Sequence, residues 1–206
     1  MLAVEDLKNE VLRLLGTSVV QALIVSDELV VSIPRSRVAE VLEKLRDDSS
    51  LVMSQLMDIC GADYPERPER FEVVYELLSL IRNARLRVKV RAGEGDCVPS
   101  VTGVFPSAGW FEREVWDMYG IPFSGHPDLR RILSDYEFEG HPLRKDFPLT
   151  GFVEVRYDPD QKRVVYEPVK LQQDYRNFDC LSPWKGMTDV QKRPKDDPSR
   201  EEDAPC

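Results

Sequence analysis

Both histidines of this 206-residue chain stand in the same triplet, Gly-His-Pro, as His126 and His141. Glu112, Glu114 and Asp117 precede them, and Arg113, Arg130, Arg131, Arg144, Lys145 and Asp146 lie among or just after them. Imidazoles and carboxylates in one segment can hold a metal, move a proton or hydrogen-bond the backbone. A zinc site needs at least one ligand more than two histidines supply, and Asp128, Asp135 and Asp146 are the carboxylates nearby. The spacing matches no metal motif. Nor is there a Gly-x-Ser-x-Gly elbow, an evident Ser or Cys partner for either histidine, or a phosphate-cradling glycine loop, Gly93-Glu94-Gly95 being a lone fragment. The carboxylates and arginines read instead as an ion-pair network, suited to a segment that must keep one shape without a core. No catalytic, cofactor-binding or metal-binding residue is expected.

Each proline drives the preceding histidine toward extended backbone, and each glycine accepts angles that other residues resist. The two triplets are therefore fixed corners. From Trp110 to Tyr157 the chain has little periodicity but much Gly, Pro, aromatic, Arg and Asp content. A long irregular stretch of this kind is commonly functional, and here it reads as a rigid surface built to fit another protein of a complex.

The formal net charge of −9 argues against nucleic acid as a partner. No run approaches the roughly 18 to 20 apolar residues that cross a bilayer. The N-terminus, MLAVEDLKNEVLRLLG, has neither a signal-peptide core nor transit-peptide composition. Cys60, Cys97, Cys180 and Cys206 form no Cys-x-x-Cys pair and no cluster spacing, so four reduced thiols are expected.

The elements that position these residues follow from periodicity. Val4, Leu7, Val11, Leu12 and Leu15 form a helical stripe stopped by Gly16. Val19–Val25 and Leu29–Ile33 read as a hairpin joined at Ser26-Asp27-Glu28, and residues 36–48 as a helix covering it. Leu51–Ile59 is ambiguous, with a strand favoured near its end. Phe71–Ser79 and Leu86–Arg91 make a second strand pair, and 93–100 a loop. Ser107 would cap a helix through Tyr119, ended by Gly120 and Pro122. Phe152–Tyr157 and Arg163–Tyr166 form a hairpin around Asp158-Pro159-Asp160. The expected class is α+β: a two-layer domain of mixed β-sheet with packed helices over 1–122, an irregular segment and hairpin completing it over 123–166, and an extended C-terminal arm over 167–206. That arm, with Tyr175, Phe178, Leu181 and Trp184 spaced along a Pro-rich polar chain, reads as lying on another protein, its last residues ordered only when bound.

At these residues the chain resembles the hydrophilic C component of respiratory complex I, the proton-pumping NADH:quinone oxidoreductase. The resemblance is carried by Glu112-Arg113-Glu114, Asp117, Met118-Tyr119, His126, Arg130 and Ile132-Leu133, all in register. Further blocks are Pro99-Ser100-Val101, Gly140-His141-Pro142-Leu143-Arg144-Lys145-Asp146-Phe147-Pro148, Glu154-Val155-Arg156-Tyr157, Tyr166-Glu167-Pro168 and Pro183-Trp184. Together they span roughly residues 20 to 185, a density far more specific than a short motif.

The resemblance implies a peripheral-arm subunit with no flavin, iron–sulfur cluster or quinone ligand of its own; FMN and the clusters sit in partner proteins of the complex. It implies packing against the D component near the quinone site and beside cluster-bearing neighbours, with Glu112, Arg113, Glu114, Asp117, His126, Arg130, Arg131, His141, Arg144, Lys145, Asp146, Arg156 and Trp184 as signature or interface residues. The location implied is the cytoplasmic side of a bacterial inner membrane, peripheral through the complex, with the mitochondrial matrix side as the alternative. Two other readings stand beside it. One places the same family in a ferredoxin-dependent plastoquinone reductase or membrane-bound hydrogenase, and the other makes His126 and His141 ligands of a hydrolytic metal.

Overall fold

The computed structural model describes residues 4–173. By its internal contacts the chain divides into Met1–Pro168 and Val169–Cys206, and the fold is that of the first unit. Helix α1 (Val4–Leu15) buries Leu7, Val11 and Leu15, the stripe legible in the sequence, and Gly16 follows it at a φ of +50°. Strands β1 (Gln21–Val25) and β2 (Glu28–Ile33) form the expected hairpin. Its turn is Ser26-Asp27 alone, both at positive φ, the geometry that matches the twist of paired strands. Helix α2 (Val38–Asp47), entered through a 3₁₀ turn at Arg35–Arg37, buries Val38, Val41, Leu42 and Leu45.

The ambiguous stretch resolves into two parts. Leu51 and Met53 are wholly buried but lie outside regular structure, and β3 runs over Gln55–Asp63, well past Ile59. A register shift between Leu56 and Asp58 breaks the alternation that would have announced a strand. Strands β4 (Phe71–Ser79) and β5 (Ala84–Ala92) complete a five-stranded sheet of order β1-β2-β5-β4-β3. The β2–β5 pair is parallel and the others antiparallel, so the sheet is mixed and the α+β class holds.

On β5, Leu86, Val88 and Val90 point into the core, with Phe71, Val73, Tyr75 and Leu77 of β4 beside them. The opposite face carries a charge ladder in which Arg87 reaches Glu76 at 2.5 Å and Glu28 at 3.1 Å, and Lys89 reaches Glu72 at 2.7 Å. One layer of helices thus packs on one face.

Two expectations need correction. The stretch 93–100 is not wholly loop: β6 (Val98–Pro99) pairs in parallel with β7 (Phe123–Ser124), and Ser100 N–H reaches Ser124 O at 2.9 Å. Two-residue strands are too short for periodicity to reveal. Ser107 is also not a side-chain cap for α3 (Ala108–Tyr119), since it has helical φ and ψ and its hydroxyl makes no capping bond. The chain arrives already turning, and the amides of Ala108, Gly109 and Trp110 go to the carbonyls of Phe105, Pro106 and Ser107. Gly120 ends α3 at a φ of +74°, as its position implied.

Strands β8 (Val153–Asp158) and β9 (Arg163–Pro168) make the last hairpin, with Asp158 Oδ1 accepting the amides of Asp160 and Gln161 at its turn. Most of the C-terminal arm, with Tyr175, Phe178, Leu181 and Trp184, lies outside the described residues. Among the described residues no helix is long and apolar enough to cross a membrane.

Candidate functional site

Helix α3 is the anchor of the signature segment. Its apolar side buries Ala108, Val115 and Met118, yet Glu112 and Asp117 are also wholly excluded from solvent. A buried carboxylate survives only when donors surround it. Asp117 has four: the amides of Ile132, Leu133 and Ser134 at 3.0, 2.8 and 2.8 Å, and the Arg131 guanidinium at 2.7 Å. Burial opposes its ionisation, but the amides and Arg131 outweigh that and hold the carboxyl well below the usual range. Asp117 is thus a clasp for residues 131–134.

Glu112 behaves differently. It accepts the Ser100 hydroxyl and the Val101 amide, both at 2.7 Å, tying β6 to α3. Burial is the largest influence on it and pushes the carboxyl up, against those hydrogen bonds and the nearby His126.

The two corners separate in role. His126 Nε2–H donates to Gly109 O at 3.1 Å, Nδ1 accepts the Asp128 amide at 3.0 Å, and Nε2 lies 3.9 Å from Glu112. His141 Nδ1–H donates to Asp117 O at 2.9 Å. Each ring N–H is committed to a different carbonyl, which is hydrogen-bond architecture and not joint ligation of one ion. Among the described residues no group of three or more His, Cys, Asp or Glu side chains could hold a metal.

The arginines act as staples. Arg113 donates to the carbonyls of Arg130 and Arg131 at 3.0 and 2.9 Å. Arg131 also reaches Gly140 O at 3.1 Å. Arg144 donates to Tyr119 O at 2.5 Å and pairs with Glu94 at 3.0 Å. A Cβ on Gly120 would stand 2.5 Å from both His141 Nε2 and Arg144 Nη2, so only glycine lets this corner close on the helix end.

The expected ion-pair network is therefore only partly one of ion pairs. Asp117 with Arg131 fits it; Arg113 binds carbonyls, Glu112 binds a hydroxyl and an amide, and Glu114 is exposed with no salt bridge among the described residues. A loop without its own strands leaves carbonyls unpaired, and planar guanidinium forks satisfy them. Arg130 pairs with Asp128 at the surface, and Arg156 with Glu167 across the hairpin. Trp184 lies outside the described residues.

A second clasp had no signal in the sequence. Arg70 at the head of β4 grips Asp63 with Nε and Nη2 at 2.6 and 2.8 Å, and Asp146 with two further bonds at 3.1 and 2.8 Å. Asp63 also accepts the Lys145 amide at 2.8 Å. The Arg70 hydrogen bonds lower the carboxyl pKa of both acids. Asp63 and Arg70 lie far from the signature segment in the chain, where no spacing rule reaches.

Beyond this fastened segment the hairpin turns an apolar face outward. Register places Val153, Val155, Tyr157, Val164, Tyr166 and Pro168 on one side, and Val155 and Tyr157 are 60% and 59% exposed. Tyr166 hydrogen-bonds Asp135 of the signature segment. Leu133, Tyr136, Leu143, Leu149 and Phe152 are exposed as well.

The class so defined is an α+β domain that carries an irregular segment pinned to the end of one helix. Residues 31–153 match the family described as respiratory-chain NADH dehydrogenase, 30 Kd subunit. The chain belongs to that family. It is 60% identical over 184 residues to the C component of the NADH-quinone oxidoreductase of Methylobacterium sp. (strain 4-46), covering 89% of this chain and 86% of that one. It is 63% identical over 187 residues to the same-named component in Rhodospirillum rubrum, covering 89% and 88%. A chain in the structure of the membrane-bound sulfane sulfur reductase, an archaeal respiratory membrane complex, shares the fold with a TM-score of 0.61 at 23% identity, over 70% of this chain and 85% of that one.

Proposed function

We propose that this chain is a non-catalytic scaffold in the peripheral arm of an NADH:quinone oxidoreductase that moves electrons from NADH to quinone and translocates protons. It carries no redox group itself; FMN and the iron–sulfur clusters belong to its partners. It packs against the D component near the quinone site and beside cluster-bearing neighbours, on the cytoplasmic side of a bacterial inner membrane. The signature residues act from within: Glu112, Asp117, His126, His141 and Arg131 fix the shape of a surface that the partner reads.

One observation carries this reading. The β8–β9 hairpin is a two-stranded sheet, marginal by itself in water, yet it exposes Val153, Val155, Tyr157, Val164 and Tyr166 on one face. Contiguous apolar surface rimmed by charge marks a protein interface. Relatives named as the C component of NADH-quinone oxidoreductase supply the kind of assembly.

Affinity purification of the full chain from membranes, with identification of co-purifying proteins, tests it. Recovery of the D component and an NADH-oxidising flavoprotein is expected. A chain recovered alone, or one that turns over substrate by itself, sinks the proposal.

A further inference from the structure

β3 is the last strand of the sheet, and α3 packs along it. Between residues 58–61 of β3 and 114–119 of α3 runs a groove of about 110 Å³, with Leu143 of the signature segment completing its lining. Ile59, Val115 and Met118 are buried beneath it. The Tyr119 ring lies so close on the strand that a Cβ at Gly61 would stand 2.6 Å from its Cδ2.

Two carboxylates, Asp58 and Glu114, line the same groove, and neither has a salt-bridge partner among the described residues. The neighbouring acids do: Glu76 pairs with Arg87, Glu72 with Lys89 and Asp63 with Arg70. The groove therefore combines an apolar floor with two acidic residues that make no ion pair among the described residues.

Size settles the kind of occupant. Small-molecule sites run to about 300–1,000 Å³, whereas a water takes about 30 Å³ of liquid, so this groove has room for one side chain. Charge settles its chemistry, because an apolar floor beside two carboxylates complements a methylene stem with a cationic head.

We propose that the groove between β3 and α3 receives a lysine or arginine side chain of a partner polypeptide. Its stem rests on Ile59, Val115, Met118 and Tyr119, and its head meets Asp58 and Glu114. The inference rests on the assembly reading only for there being a partner; the side-chain chemistry comes from the groove. Burial of the stem contributes most of the affinity, and the carboxylates select the cation and speed its docking.

Cys60 lines the groove and is exposed, so its thiol reports occupancy. The experiment uses the full chain with Cys97, Cys180 and Cys206 changed to serine, alkylated with a maleimide alone and in complex purified from membranes. Alkylation of Cys60 in the complex is expected to be at least roughly 10-fold slower, as a groove filled most of the time requires. Equal rates in a complex that contains the chain overturn the groove proposal and leave the assembly reading standing, whereas a chain that purifies without partners sinks both. The double variant D58K/E114K, checked for an unchanged circular dichroism melt, should restore Cys60 alkylation or cut recovery of the chain in the complex roughly 10-fold. A control E5K on α1 should do neither. If the double variant leaves both readouts unchanged, the occupant is not cationic. Carbodiimide coupling of Asp58 or Glu114 to a lysine of another protein would support the assignment, and coupling to a second copy of this chain would overturn it.

Discussion

Glu112 and Asp117 lie on the same helix, both sealed from solvent, and the fold drives their carboxyls in opposite directions on the pH scale. The difference is the donor set. Asp117 collects three amides and a guanidinium, whereas Glu112 collects one amide and one hydroxyl, too few to offset its burial.

Asp117 should therefore dominate acid stability. Its folded pKa is depressed, so its stabilisation is complete above the unfolded value of about 3.9 and lost as pH falls toward the folded one. Asp117→Asn leaves Arg131 and the three amides facing a neutral amide and should cost about 3 kcal/mol at neutral pH. Urea unfolding across the acid range should show a flatter pH slope in the variant; an unchanged slope would refute the clasp.

Glu112 has the opposite sign. A raised carboxyl pKa means its ionisation weakens the fold as pH climbs through the folded value. Glu112→Gln removes that dependence while losing an acceptor for Ser100 or Val101. The expected result is a larger fall in melting temperature from neutral to acidic buffer than in the parent chain, because the opposing contribution of Glu112 no longer offsets the acid loss at Asp117.

The Gly120 corner tests packing separately from backbone strain. Gly16 and Gly120 both have positive φ, but a Cβ at Gly16 meets open space while one at Gly120 meets His141 and Arg144. Gly16→Ala should cost about 1 kcal/mol through strain alone. Gly120→Ala should cost about 3 kcal/mol or more, because the imidazole and guanidinium must leave their carbonyls. Thermal unfolding of the two variants gives the comparison directly.

The two imidazoles should carry opposite tautomers. His126 accepts at Nδ1 and donates at Nε2, while His141 donates at Nδ1. Nitrogen-15 spectra of the rings at neutral pH should show an Nε2–H form for one and an Nδ1–H form for the other. Two identical tautomers would contradict the corner geometry.

Surface and interface separate at Arg130, Arg144 and Tyr157. The Arg130–Asp128 pair is exposed, so Arg130→Ala should change the stability of the isolated chain by less than about 0.5 kcal/mol. Tyr157→Asp, on the exposed hairpin face, should be similarly mild in isolation. Both variants, and Arg144→Ala, which releases Tyr119 O, should lower the amount of assembled complex. Normal assembly with Tyr157→Asp would place the interface elsewhere.

The periodic elements needed only local physics. The α1, α2 and α3 stripes and the two early strand pairs were legible because one face of each meets a core and the other meets water, which imprints a period on the sequence, whereas the last hairpin, exposed on both faces, was legible from its β-branched and aromatic runs around Asp158-Pro159-Asp160. β3 was blurred where a register shift breaks that period, and β6 and β7 were invisible because two residues cannot show one. The sequence also marked the signature segment as a fixed surface, through paired Gly-His-Pro corners and clustered arginines. What holds that surface was decided by tertiary structure alone. Asp117 clasping residues 131–134, Arg70 joining Asp63 to Asp146 and Gly120 admitting His141 each link residues far apart in the chain, and hydrogen-bond partners chosen across space leave no spacing to read.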